Sequence, residues 1–210
     1  MTETQNVAER PRTVDGYRLV VPQEWQKIPV QRGTEKAIKD LLDKAFAKHS
    51  RDAVAQYRRE LEARLKKAVR QARTNAGVDM FLPLGNRERN LPASFLISYV
   101  EFGSPNAPSK EAVLAEVTST LAGAVPVTID GTVGLRTQRV YPAEPEREVP
   151  YPSTRIEYLL PVPGSADSWL SAAFSTVGDG SPDDVLAKLM CGLFHAIMST
   201  FRWHYKEETA

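Results

Sequence analysis

"ASFLISYVEF", Ala93–Phe102, is the stretch on which the fold turns. Phe95, Ile97 and Tyr99 alternate with Leu96, Ser98 and Val100, so the period is two and both sides of the run are partly apolar. A strand at a solvated surface alternates apolar with polar residues. A run apolar on both sides predicts a central strand, covered on each face of its sheet. The remaining chain then has to supply neighbouring strands and two layers of cover.

Immediately upstream, "VDMFLPL" is a second β-rich run, joined to the first by the turn-forming "GNRERNLP". Downstream, strands are expected at "AVPVTI", "TVGLRTQRVY", "TRIEYLLPV" and "SWLSAAFSTV". The "IDGT" between the first two of these is an Asp-Gly turn, a strong local hairpin signal. "PAEPEREVPYPST" reads as a long, stiff hairpin loop. Near the start, "DGYRLVVPQEWQKIPV" (15–30) predicts a first strand over Tyr17–Pro22. Pro22 cannot donate to a ladder and ends it, and Trp25 is expected to fold back as an apolar plug.

The cover comes from runs of a different period. Ile38, Leu41, Leu42, Ala45 and Phe46 recur at spacings of three and four, as do Val54, Tyr57, Leu61, Leu65, Ala68 and Ala72 after "KHSRD". Ser50 or Asp52 can cap the second run, so Thr34–Asn75 is a long N-terminal helical segment, either two helices or one bent one. Gly77 is expected to stop it in the left-handed conformation. A helix from Ser109, "SKEAVLAEVTSTL", has Val113, Leu114, Val117 and Leu121 as its buried stripe. In "SPDD", Ser181 is an N-cap candidate, Pro182 fits the first helical position, and Asp184 follows three residues after the cap. Leu186, Leu189, Met190, Leu193, Phe194, Ile197, Met198 and Phe201 then form a wide stripe that predicts a helix packed on the sheet. The fold class is α+β: a largely antiparallel sheet of about six to seven strands sandwiched by helices, and not a doubly wound nucleotide-binding fold. Residues 1–14 and 206–210 read as tails around a single domain spanning 15–205.

Composition excludes several classes. With 210 residues, 42% hydrophobic, and a net charge of +1, the composition is that of an ordinary globular protein and does not imply general affinity for polyanions. One cysteine, Cys191, allows neither an internal disulfide nor a CxxC metal site and fits a reducing compartment. "MTETQNVAERPRT" lacks the apolar stretch of a signal peptide, and no window reaches the ~18 to 20 apolar residues that cross a bilayer. A cytoplasmic chain without a membrane span is expected. His49, His195 and His204 match no zinc spacing, so neither metal nor cofactor is expected. "VGDGSPDD" contains GxG before a helix but lacks GxGxxG and the P-loop lysine, and Asp183 and Asp184 would repel an anion there.

Cys191 and His195, four residues apart, have the spacing of a thiolate–imidazole pair. Centring the helix on Met190 and Ile197 puts Cys191 at the stripe's margin and His195 on the polar side, which makes them a packing cysteine and a solvent histidine. No catalytic residue is assigned. Arg51, Arg58, Arg59, Arg64, Lys66, Lys67, Arg70 and Arg73 outnumber Asp52, Glu60 and Glu62, a net of +5 on one helix. That face is either solvated, with Glu60–Arg64 and Glu62–Lys66 pairs, or a site for an acidic protein through Arg58, Arg59, Arg64, Lys66, Lys67 and Arg70. Nucleic acid fits less well, because no aromatic residues are interleaved for base stacking. The proline-rich loop with Tyr141 and Tyr151 is either a second partner-binding element or a plain connection. Two functions stay open: a non-enzymatic protein-binding adaptor, or a small-molecule binder or enzyme with a pocket between sheet and helices, lined by Tyr99, Arg136, Tyr158 and Trp169.

The opening "YRLVVPQEW", the helical segment, the hairpin strands and the closing amphipathic helix together resemble the PsbP-like superfamily, which also holds the Mog-type Ran-binding and DcrB-like bacterial proteins. The resemblance runs from Tyr17 to about Trp203 and rests on element order with a short opening motif. The opening is also similar to those of uncharacterised actinobacterial proteins, some associated with specialised secretion systems. The resemblance implies a binding, assembly or chaperone module. Thr34–Asn75 departs from the family pattern in its length.

Overall fold

The computed structural model describes residues 13–84, 93–101, 109–120, 123–147, 149–181 and 183–206. The chain opens with β1 (Val14–Arg18) and β2 (Trp25–Pro29), then two helices, α1 (Thr34–Ala45) and α2 (Arg51–Thr74). After β3 (Gly77–Pro83) and β4 (Ala93–Glu101) comes α3 (Lys110–Thr120). The meander β5 (Val125–Ile129), β6 (Thr132–Tyr141), β7 (Ser153–Pro161) and β8 (Ser168–Val177) leads into α4 (Val185–Ser199) and a last strand, β9 (Arg202–Tyr205).

Seven strands form one sheet in the order β2-β3-β4-β8-β7-β6-β5, antiparallel at every pairing. β4 lies inside it, between β3 and β8, and both of its faces are covered. On one face Phe95 and Ile97 are buried against α4, in a core whose centre is Phe194. The Phe194 ring stacks on Phe174 at 4.8 Å and meets Phe95 at 5.4 Å and Tyr158 at 5.8 Å. On the other face Leu96 packs on a second core, in which Ile28, Val30 and Met80 meet Ile38, Leu41 and Leu42 of α1 and Leu65, Val69 and Ala72 of α2. Strand alternation feeds both cores from one strand: on β2, Trp25 enters the first and Ile28 the second.

The opening stretch folds differently from its expected form. The first strand ends at Arg18, before Val20, and it lies outside the main sheet, pairing with β9 as a two-stranded ribbon. Thr200 explains the stop, because its hydroxyl takes the Val20 N–H at 2.9 Å and removes it from any ladder. Trp25 is buried as expected but also opens a strand, β2, the edge of the sheet. The ribbon is latched to the sheet at two points. The Tyr17 hydroxyl donates to Asp79 on β3 at 2.5 Å, and Lys27 reaches the same carboxylate at 2.8 Å. At the other point the Trp203 backbone N–H donates to Asp130 at 2.8 Å and its indole N–H to Thr132 at 2.9 Å.

Local signals were met or displaced for identifiable reasons. Asp130 and Gly131 both have positive φ, as an Asp-Gly hairpin requires. The left-handed residue after α2 is Ala76, at φ 54°, and not Gly77. Gly77 instead begins β3, where a Cβ would stand 2.7 Å from the Ala72 carbonyl oxygen. Ser109 accepts from the Ala112 N–H and starts α3, whereas α4 starts later than "SPDD" suggests. Its N-cap is Asp184, which takes the N–H groups of Ala187 and Asp179, each at 2.9 Å. Tyr57 is 68% exposed, and Val69 fills the core place on α2. The turn at 85–92, the Val117 and Leu121 side chains, and the outermost parts of both tails lie outside the described residues; Val14 already belongs to β1.

Candidate functional site

Apart from the Tyr17–Asp79–Lys27 latch, three titratable side chains converge where α4 meets the sheet. On β6 and β7, Arg136 and Tyr158 are directly opposed, so both project from the face that α4 covers. His195 lies one turn beyond Cys191 on α4, and its Nδ1 is 2.7 Å from the Tyr158 hydroxyl. Arg136 donates to the same hydroxyl. Burial raises the Tyr158 pKa, opposed by Arg136. Burial, aided by the nearby guanidinium, lowers that of His195 and favours the neutral imidazole.

This overturns the helical-wheel placement of α4. Phe194, and not the Met190–Ile197 line, faces the centre of the sheet, which rotates Cys191 inward and brings His195 onto Tyr158. Cys191 is buried and burial alone raises its thiol pKa, so it is a poor nucleophile. The rotation also turns Val185, Leu186 and Leu189 outward, 81%, 43% and 67% exposed. The stripe's centre shifts because Val185, Leu186 and Leu189 do not point inward; cross-strand alternation between β6 and β7 is the signal that pairs Arg136 with Tyr158, whereas the four-residue spacing from Cys191 marks His195 for a different partner.

The four residues expected to line a pocket are not brought together. Arg136 and Tyr158 meet. Tyr99 projects from the same face on β4, half-buried near Asp79 and Asp15; burial, followed by those two carboxylates, raises its pKa. Trp169 is buried on the opposite face of β8 from Leu170. On α2, Arg58 is tied to Asp43 of α1 at 2.7 Å and Lys66 to Glu62 at 2.8 Å. Glu60 accepts from Gln56, in place of Arg64, while Arg59, Arg64 and Arg70 are exposed and Lys67 is engaged in a contact of its own. In the loop between β6 and β7, Glu144 and Val149 exchange backbone hydrogen bonds around a 3-10 turn, Tyr141 lies under the Arg155 guanidinium at 4.4 Å, and Tyr151 is 62% exposed. Among the described residues no three His, Cys, Asp or Glu side chains are placed to hold a metal ion, and no helix is long and apolar enough to cross a membrane.

Neither a protein-family model nor a curated protein matches the chain. Among solved structures, a protein from Bacteroides thetaiotaomicron VPI-5482 aligns with 62% of this chain at 15% identity and a TM-score of 0.35. The aligned region covers 39% of that protein, and a likeness of this size carries no argument.

Proposed function

We propose that the chain is a non-enzymatic protein-binding module, an accessory or chaperone of the PsbP-like kind, with secretion as its setting. The observation that supports this most is the outer face of α4, where Val185, Leu186 and Leu189 stand exposed on two successive turns. A helix that is apolar nearly all round is at home when both sides are covered, and the sheet covers only one. Tyr151 stands at the same end of the sheet: its neighbour Pro152 accepts from the Gly178 N–H, just before α4. The basic face of α2 lies on the far side of the sheet, where Arg59, Arg64 and Arg70 suit an acidic partner.

Photo-crosslinking tests both faces, with a benzophenone amino acid placed at Leu189 in one variant and at Arg70 in another. A discrete adduct from Leu189 in native extract, lost on Val185→Asp without a change in thermal stability, supports α4 as the contact. An adduct from Arg70 that salt dissociates before irradiation moves the contact to α2. Absence of any adduct at either position overturns the proposal.

A further inference from the structure

Neutral His195 has two tautomers, and only the one with a bare Nδ1 gives the Tyr158 hydroxyl proton an acceptor within the trio. If Arg136 donates to the phenol oxygen and the phenol donates to His195 Nδ1, each contact has one donor and one acceptor, and Nε2 carries the imidazole proton. That leaves the His195 Nε2–H and the remaining N–H groups of Arg136 without an acceptor among the described residues, where Arg136 has no carboxylate partner. The described acids nearest in sequence are occupied elsewhere: Asp130, closest to Arg136, takes the Trp203 N–H, and Asp184, closest to His195, caps α4. Glu157 alternates to the opposite face of β7 and accepts from Ser171 at 2.7 Å. Asp183 is held by Lys188, which shares the His195 flank of α4, at 2.7 Å. An arginine fork beside a neutral N–H donor, with no anion to match them, has the complement of an oxyanion. Val125, exposed on β5 directly opposite Arg136, offers apolar surface beside it.

We propose that Arg136 and His195, held in register by Tyr158, form a binding site for an oxyanion, the carboxylate or phosphate group of a small molecule, at the place where α4 meets β6 and β7. Arg136 supplies the charge and the fork, and Tyr158 fixes the His195 tautomer so that Nε2–H points a donor at the ligand. This proposal does not rest on the protein-binding reading of α4, and the experiment on each can fail while the other stands.

The test follows the imidazole signals of the full chain labelled with ¹³C,¹⁵N-histidine, at constant ionic strength and slightly alkaline pH. His195 is assigned by its disappearance in His195→Asn. Titration with inorganic phosphate forms one arm and with benzoate the other, which separates a phosphate from a carboxylate with an apolar body. The expected result is a saturable shift of His195, with His49 and His204 unmoved, in at least one arm. Arg136→Gln weakens that binding at least about tenfold, as loss of a charge-assisted hydrogen bond should, and Lys39→Gln, at an exposed position on α1, leaves it unchanged. If Arg136→Gln does not fold, Arg136→Lys, which keeps the charge and loses the fork, is expected to weaken it several-fold. Absence of saturation in both arms, or equal binding by the folded Arg136 variant, overturns the site.

Discussion

Replacing Tyr17 by Phe removes one oxygen from the latch between the ribbon and the sheet. Asp79 is only 5% exposed and takes its partners from Tyr17 and Lys27, so the lost hydroxyl leaves a buried carboxylate dependent on a half-exposed ammonium. A hydrogen bond to a buried charged group is worth about 2 kcal/mol, and the lysine, screened by solvent, recovers little of it. For a chain of this size that corresponds to a fall of about 4 to 8 °C in Tm. Trp25, Trp169 and Trp203 are all buried, so tryptophan fluorescence in a urea titration reports unfolding directly. The double-mutant cycle with Asp79→Asn isolates the pair, and a coupling of at least about 1 kcal/mol is expected. The pH profile adds a second reading. Burial, followed by the hydrogen bond to Asp79, pushes the Tyr17 phenol pKa far above its ordinary value. The unfolded chain ionises near pH 10 and the folded one does not, so the contribution is complete below that pH and lost as pH rises above it. Tyr17→Phe within about 0.5 kcal/mol of the parent, or additivity with Asp79→Asn, would refute the latch.

Further outcomes are expected elsewhere. Since burial and Arg136 lower the His195 pKa, the unfolded chain takes up its proton first; stability is complete above about pH 6.5 and falls as pH drops below it, and His195→Asn flattens that limb of a urea-midpoint profile. Ala76→Gly relieves a left-handed alanine and raises stability by up to about 1 kcal/mol, whereas Gly77→Ala lowers it through the 2.7 Å approach to the Ala72 carbonyl, both read by calorimetry. Phe194→Ala costs about 3–5 kcal/mol in chemical denaturation, while Leu189→Ala on the same helix changes stability by no more than about 0.5 kcal/mol.

What could be read in the sequence was whatever one segment decides locally. The two apolar sides of β4 announced a covered central strand, and Asp130-Gly131 announced a hairpin, because each signal resides within a few residues. β9 carried no such mark: "RWHY" is four residues long and is a strand only because β1, nearly two hundred residues earlier, lies beside it. β2 was hidden for a similar reason, its Lys27 and Pro29 breaking an alternation that its pairing with β3 enforces. The candidate site divides the same way. Arg136 opposite Tyr158 follows from the register that the "PAEPEREVPYPST" loop allows, but His195 depended on the rotation of α4, which is set by the room between Phe95, Phe174 and Tyr158 for one phenyl ring.

That rotation ties the two proposed surfaces to a single packing choice. Seating Phe194 in the aromatic pocket fixes which residues of α4 stand at its flanks and on its back. His195 then reaches the β6 side, and Val185 and Leu189 face outward. A helix turned to centre the Met190–Ile197 line would bury more of its own apolar surface but would leave that pocket unfilled, at the cost of a phenyl-sized cavity. Filling the pocket, worth about 3–5 kcal/mol for a phenyl ring, offsets what covering two aliphatic side chains would add. The outward apolar residues are therefore a consequence of the core before they are a surface for a partner, and selection for binding would act on a face the fold already has to present. Phe194→Leu tests whether the two surfaces share that constraint. With a smaller residue in the pocket, the helix is free to turn, and the Tyr158–His195 contact and the exposure of Leu189 should change together. A histidine signal that moves while a benzophenone at Leu189 crosslinks as before would show that the two surfaces do not share that constraint.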